Sequence, residues 1–221
     1  MKILIKFPTR NRVNQFFKVL DEYYNYSTNL DQIEFQITID DDDLSMNNKM
    51  VIDRLNTYKN LTYNIGKSLN KIHAVNRDLK INNCDIILLA SDDMYPVMKG
   101  YDEIIRENMK KLYPDTDGVL WFNDGNRKDL NTLCILGTKY YNRFGYIYHP
   151  DYKSLWADNE FMDVANILKK QTFIDIVIIH HKHPDWGFGK RDDIHRLNSI
   201  NNSYDKNIYI KHKLSNFNLH I

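Results

Sequence analysis

The feature that most constrains this chain is Ile86-Ile87-Leu88-Leu89-Ala90, an unbroken apolar run followed at once by Ser91-Asp92-Asp93. A strand wet on one face alternates apolar and polar residues, whereas a strand covered on both faces reads as a continuous run. Both faces of this strand must therefore be buried, and the residues just beyond its carboxyl end are abruptly acidic. Upstream, strand and helix patterns alternate. Ile3 to Phe7 reads as a strand ended by Pro8, and Asn11 can cap a helix carrying Val13, Phe16, Phe17, Leu20 and Tyr24. Phe35 to Ile39 is a second strand, Met46, Met50 and Leu55 mark a short helix, and Leu61 to Ile65 is a third strand stopped by Gly66. Ser68 is placed to cap a helix with Leu69, Ile72, Val75 and Leu79 inward. Such alternation predicts an α/β fold, a mostly parallel central sheet flanked by helices.

The second half is more mixed. Short strands are expected at 119–122 and 133–136, a short helix at Tyr140-Tyr141 ended by Gly145, and a helix over 158–169 with Phe161, Val164 and Leu168 inward. A last core strand is expected from Phe173 to Ile179, then His180-His181-Lys182-His183-Pro184, a helix near 192–197 and a loosely specified tail. No linker, repeat or low-complexity stretch divides the 221 residues, so one domain is expected over 1–189, with 190–221 as a C-terminal helix and tail on or over the site.

A net charge of +1 argues against sequence-independent nucleic-acid binding. The apolar start before Lys6 is too short for a signal peptide, and no stretch approaches the ~20 apolar residues of a membrane span. Cys84 and Cys134 have no metal-ligand spacing and read as free thiols, so a cytoplasmic protein is expected.

Four polar clusters stand where strands should end: Thr9-Arg10-Asn11-Arg12, Asp40 to Asp43, Ser91-Asp92-Asp93 and His180 to His183. In open α/β sheets ligands bind beyond the carboxyl ends of the strands, so the clusters should converge. Carboxylates with imidazoles suit a hard divalent cation, and guanidinium groups suit phosphate. Each cluster has a plainer reading. Adjacent aspartates form turns and caps, a single histidine is commonly structural, and Arg10 and Arg12 can be surface charges. Arginine at a helix start opposes the dipole, however, which favours an anionic partner.

Ile-Lys-Phe-Pro-Thr-Arg-Asn-Arg, Leu-Leu-Ala-Ser-Asp-Asp-Met-Tyr-Pro and Trp-Ala-Asp-Asn-Glu-Phe, in that order, resemble GT-A-fold glycosyltransferases of the large inverting family two, over roughly residues 2–185. The resemblance implies a hexosyltransferase-type enzyme. It would move a sugar from a nucleotide-diphosphate donor, with a UDP-sugar favoured, to a hydroxyl acceptor such as a glycan. Thr9, Arg10 and Arg12 would line the nucleotide pocket and Asp40 would accept from the base. Gly66, Lys67 and Ser68, with Asn76 and Arg77, would border base and ribose. Ser91 and Asp92 would face the ribose or a bound water, and Asp93 would hold Mn²⁺ or Mg²⁺. Ala90 occupies the first position of the fuller Asp-x-Asp-Asp form, which leaves fewer oxygens for the cation; His181 or His183, with His180 third, would complete its shell. Asp158 would be the general base, with Glu160 as competitor, although Asp158 equally suits a helix N-cap. Trp186 would touch the acceptor or a lid, and the basic tail residues Arg191, Arg196, Lys211 and Lys213 would close over the diphosphate. Two other activities compete: a non-catalytic nucleotide-sugar-binding module, kept open by Ala90, and a sugar nucleotidyltransferase, whose usual Gly-rich loop after the first strand is absent from Phe7-Pro8-Thr9-Arg10.

Overall fold

In the computed structural model, which describes residues 1–188 and 190–219, the fully apolar run at 86–89 lies near the centre of a seven-stranded sheet. The elements follow as β1 (Ile3–Thr9), α1 (Val13–Tyr26), β2 (Ile33–Asp40), α2 (Lys49–Leu55), β3 (Leu61–Gly66), α3 (Lys71–Asn76), β4 (Ile86–Leu89), β5 (Met94–Pro96) and α4 (Tyr101–Leu112). Then come β6 (Val119–Phe122), β7 (Ile135–Gly137), α5 (Thr138–Tyr141), α6 (Ala157–Ile167), β8 (Gln171–Ile174), β9 (Ile179–His181), α7 (Asp193–Ile200) and α8 (Asn202–Leu214). The sheet order is β3-β2-β1-β4-β7-β6-β8, with β7 alone antiparallel to its neighbours. Antiparallel pairing on both sides of β7 leaves β6 parallel to β4, so the carboxyl ends of β1, β2, β4 and β6 share one edge.

One face of the sheet packs Ile3, Ile5 and Phe7 against Phe16, Leu20 and Tyr23 of α1 and Tyr101, Ile105 and Met109 of α4. The other packs Ile87 and Leu89 against Ile72 and Val75 of α3, Tyr140 of α5 and Phe161 and Ala165 of α6. Burial on both faces explains why β4 carries no polar residue. Lys6, fully buried in β1, donates to the carbonyl of Arg77 at 2.6 Å and to Thr38 Oγ1, tying the strand to the end of α3. Burial pushes its pKa down to about 8.

Several local expectations are corrected. Asn11 adopts φ 57° and donates its N–H to Asp43 Oδ2 at 2.7 Å, and α1 starts after Arg12 without a side-chain cap. Asn70, rather than Ser68, caps α3 through the N–H of His73 at 2.8 Å; Ser68 Oγ instead accepts from Arg77, and Leu69 is exposed. Trp156, at φ 64°, precedes α6, which puts Asp158 in its first turn rather than at its cap. The strand expected at 133–136 runs at Ile135–Gly137. The expected last strand breaks in two: β8 lies at the sheet edge, and β9 joins β5 in a separate antiparallel ribbon. Between them Asp175 is drawn outward to Asn123 and Lys128, at 2.8 and 2.7 Å.

The tail folds as α7, capped by Asp192, and α8, whose Asp205 and His212 are buried. Gly189, where the sequence reading ends the main domain, lies outside the described residues.

Candidate functional site

The shared strand edge opens into a cleft of about 610 Å³. Thr9, Arg10 and Arg12 reach it from the end of β1, Asp40 from β2, Ser91, Asp92 and Asp93 from the segment after β4, and Asp158 from α6. His181, His183 and Trp186 line it as well. Gly66, Lys67, Arg77 and Glu160 do not line it. Arg77 holds the strand ends from behind, donating to the carbonyls of Ile39 and Gly66 at 2.7 and 2.9 Å. Lys67 is exposed, and Glu160 faces a different cluster.

The charged groups are paired across the cleft. Arg10 donates to Asp40 at 2.8 Å and to both oxygens of Asp42 at 2.5 and 2.9 Å, which relieves the repulsion within the aspartate run. Asp43 is a turn former that accepts from Ser45. Arg12 donates to Asp92 at 2.7 Å and, in a fork, to Asp192 at 2.7 and 2.8 Å, so the tail is fastened to the first loop. Burial raises the Asp92 pKa to about 6 although Arg12 opposes it. Thr9 Oγ1 is buried without a hydrogen-bond partner among the described residues.

The ribbon of β5 and β9 decides which histidine meets Asp93. Its register sets Met94 opposite His181, and Lys182 N–H donates to the Asp93 carbonyl at 2.7 Å. His181 Nε2 thereby stands 3.3 Å from Asp93 Oδ2, with Nδ1 3.8 Å from Asp124 Oδ2. Burial would raise Asp93, but His181 and Ser91 outweigh it and hold the carboxyl well below its usual range. Burial would likewise lower His181, but Asp124 and Asp93 push it up to about 9. Two ligands of an octahedral ion with bonds near 2.1 Å stand about 3 Å apart, so Asp93 and His181 fit one divalent cation. His183 stacks edge-on to His181 at 5.6 Å between ring centroids and also faces the cleft.

Asp158 keeps one bond to the Asn159 N–H at 3.0 Å. Burial raises its pKa, and Lys71 pulls the other way. Lys71 and Arg127 line the cleft and went unremarked in the sequence, as did Asp124, which accepts from Thr132 and from the N–H groups of Asn126 and Arg127 at 2.7–2.8 Å. Asp124 follows the end of β6, so the strand-end rule that flagged the other clusters also reaches it. Gly125 beside it has φ +89°, and a Cβ there would stand 2.3 Å from the His180 ring; only glycine lets this turn pass. From the tail, His195, Leu197 and Asn198 line the cleft. Of the basic residues expected over the site, Arg191 pairs with Asp185 at the cleft lining, whereas Arg196 and Lys213 are engaged away from it, with Asp193 and Asp163.

No family model matches this chain, and no curated protein matches it. Solved structures do. The mannosyltransferase PcManGT from Pyrobaculum calidifontis, in complex with GDP-Man and Mn²⁺, superposes with a TM-score of 0.62 at 16% identity, covering 80% of this chain and 55% of that one. TarS 1-349 from S. aureus in complex with UDP-GlcNAc gives 0.69 at 14% identity over 88% of this chain and 60% of that one. Its complex with UDP gives 0.66 at 14% identity over 100% and 73%. This chain thus spans little more than half of the mannosyltransferase. The shared architecture, with its mostly parallel sheet and flanking helices, is the GT-A fold of nucleotide-sugar glycosyltransferases. No helix among the described residues is long and apolar enough to cross a membrane.

Proposed function

We propose that this chain is an inverting glycosyltransferase of hexosyltransferase type, taking a nucleotide-diphosphate sugar and passing the sugar to a hydroxyl of a glycan. The supporting observation is the convergence of Arg10, Arg12, Asp40, Asp93, His181 and Asp158 on one cleft at the carboxyl edge of a GT-A sheet. A fold alone does not carry an activity, so the assignment rests on these groups. Asp40, positioned by Arg10, accepts from the base, which favours a uracil N3–H and hence a UDP-sugar; the solved neighbours were captured with GDP-Man and with UDP-GlcNAc or UDP. Thr9 and Arg12 face the ribose and diphosphate, with Ser91 and Asp92 beside them. Mn²⁺ or Mg²⁺, when held by Asp93 and His181 with His183 nearby, offsets charge on the leaving diphosphate.

Asp158 takes the proton of the acceptor hydroxyl as that oxygen attacks the anomeric carbon from the side opposite the diphosphate, so the configuration inverts. Its raised pKa makes it a stronger base than an exposed aspartate. Trp186, about half exposed at the cleft rim, offers a flat face to an acceptor sugar. From the C-terminal segment, α7 and the Arg12–Asp192 fork complete the wall, and incoming diphosphate would compete for that fork. The setting is cytoplasmic.

The test is hydrolysis and transfer from UDP- and GDP-sugars, with and without Mn²⁺, by the wild type and Asp93→Ala. Metal-stimulated turnover lost in the variant is expected. Ala90, buried in the cleft where a further carboxylate would stand, favours a second reading as a non-catalytic binding module. Calorimetric binding of a nucleotide-sugar with no turnover over a broad acceptor set would replace the first reading with the second.

A further inference from the structure

On α6, Asp158 lines the large cleft, while Glu160, two residues on, lines a separate void of about 20 Å³ beside His149. Residues two apart on a helix point about 200° from each other, so the two carboxylates cannot serve one site. Around Glu160 stand His149, from the loop before α6, and His212, from α8; one ligand atom of each lies within 4.8 Å of the others. Glu160 and His212 are both 5% exposed. None of the three takes part in the proposed transfer.

His212 is the informative member. Its Nδ1 stands 2.8 Å from Glu160 Oε2, and its Nε2 stands 3.2 Å from Asp151 Oδ2. A neutral imidazole carries one N–H, so between two carboxylates it would turn a lone pair on one of them. A second proton or a metal ion removes the conflict. The surroundings are those of a metal ligand set. The Nε2–H donated to Asp151 would fix the tautomer and turn the Nδ1 lone pair toward Glu160, the outer-partner arrangement common to metal-bound histidines. Tyr152 OH donates to Glu160 Oε2 at 2.7 Å and orients that carboxylate as well. His149 Nδ1 accepts from the Asp151 N–H at 3.2 Å, which orients that ring as well. The small void, lined by Glu160 and His149 but not by His212, has room for one water that could serve as a fourth ligand.

We propose that His149, Glu160 and His212 form a zinc site, separate from the donor cleft, that clamps the C-terminal helix α8 to α6. Two imidazoles, a carboxylate and a water make a ligand set typical of Zn²⁺, unlike the oxygen-rich environment suited to Mg²⁺. Loss of the ion would loosen α8 and, through α6, the segment that carries Asp158.

The test uses the full chain and needs no turnover, so it stands apart from the transferase reading. Asp93→Asn removes the cleft ligand. In that background, elemental analysis should find one Zn²⁺ per chain, chelation should lower Tm, and Co²⁺ should develop the visible bands of a four-coordinate site. Adding Glu160→Gln, or the gentler His149→Gln at a half-buried position, should abolish the bound Zn²⁺ and the chelator-induced shift while the far-UV spectrum stays native. Asp151→Asn should weaken Zn²⁺ binding by roughly 10–100-fold, the range for an outer partner. Zn²⁺ retained at one per chain in His149→Gln, or no Zn²⁺ or Co²⁺ bound by Asp93→Asn, overturns the proposal.

Discussion

Asp205 is fully buried in α8, yet it reaches back to accept three backbone N–H groups of the segment leading into α6. Lys153 donates to Oδ1 at 2.8 Å, while Ser154 and Leu155 donate to Oδ2 at 2.9 and 2.8 Å. Asp205→Asn keeps the shape but offers one acceptor oxygen. With that oxygen in the Oδ2 place, two bonds survive without charge and the amide NH₂ faces the Lys153 N–H. One lost charge-assisted bond is worth about 1.5–3 kcal/mol, and the two neutralised ones lose roughly 0.5–1 each, so about 3 kcal/mol is expected. For a chain of this size that corresponds to a Tm lower by about 6–12 °C. Asp205→Ala, which leaves all three N–H groups without a partner, should cost more. Urea unfolding monitored by tryptophan fluorescence measures both. A loss under about 1 kcal/mol for both variants refutes the reasoning, because buried N–H groups cannot lose a carboxylate so cheaply. Since Leu155 and Ala157 line the cleft and Asp158 follows, Asp205→Asn should also slow transfer more than it weakens donor binding.

Asp158→Asn should lower turnover by about 10²–10⁴-fold with donor affinity kept, and a residual above a tenth would remove Asp158 as the base. Because the base works ionised and burial raises its pKa, wild-type turnover should climb with pH through a limb above the ordinary aspartate value; a limb at or below that value contradicts the assignment. Asp117 accepts from Arg143 Nε at 2.8 Å and lies 2.8 Å from Lys170 Nζ, and the Arg143 bond leads in bringing its pKa down to about 2. Its unfolded value is near 3.9, so its contribution is complete above about pH 4 and disappears as pH falls through 2. Asp117→Asn should flatten that acid limb of the stability profile, and an unchanged slope between pH 4 and 2 counts against the pairing. At Gly137 a Cβ would sit 2.0 Å from the Thr116 carbonyl oxygen, so Gly137→Ala should cost about 3 kcal/mol or more in a urea titration; a near-wild-type midpoint would show that the close approach is not real.

Much of the core was legible from pattern alone. The run at 86–89 had the pattern expected of a strand covered on both faces, and the first three strands with their helices carried the periods of their kind. The polar clusters after β1, β2 and β4 were placed by the strand-end rule without any knowledge of contacts. The break at Asp175 was not legible, because Phe173 to Ile179 has the composition of a core strand and only the surface partners Asn123 and Lys128 pull it apart. The tail looked loosely specified because α8 is held by single buried polar residues, Asp205 and His212, whose partners lie about 50 residues away.

The sequence by itself determined a mostly parallel α/β core and the edge at which its polar clusters gather, since both follow from local hydrophobic period and strand direction. Only the tertiary structure decided which groups meet. The register of β5 with β9 selected His181 for Asp93 from a run holding three histidines. The approach of α7 gave Arg12 to Asp92 and Asp192 together. The rotation of α6 turned Asp158 to the cleft and Glu160 to His212. Such pairings join residues 50 to 180 positions apart. A one-residue slip in a ribbon or 100° of helix rotation would undo them, and no local pattern carries that information.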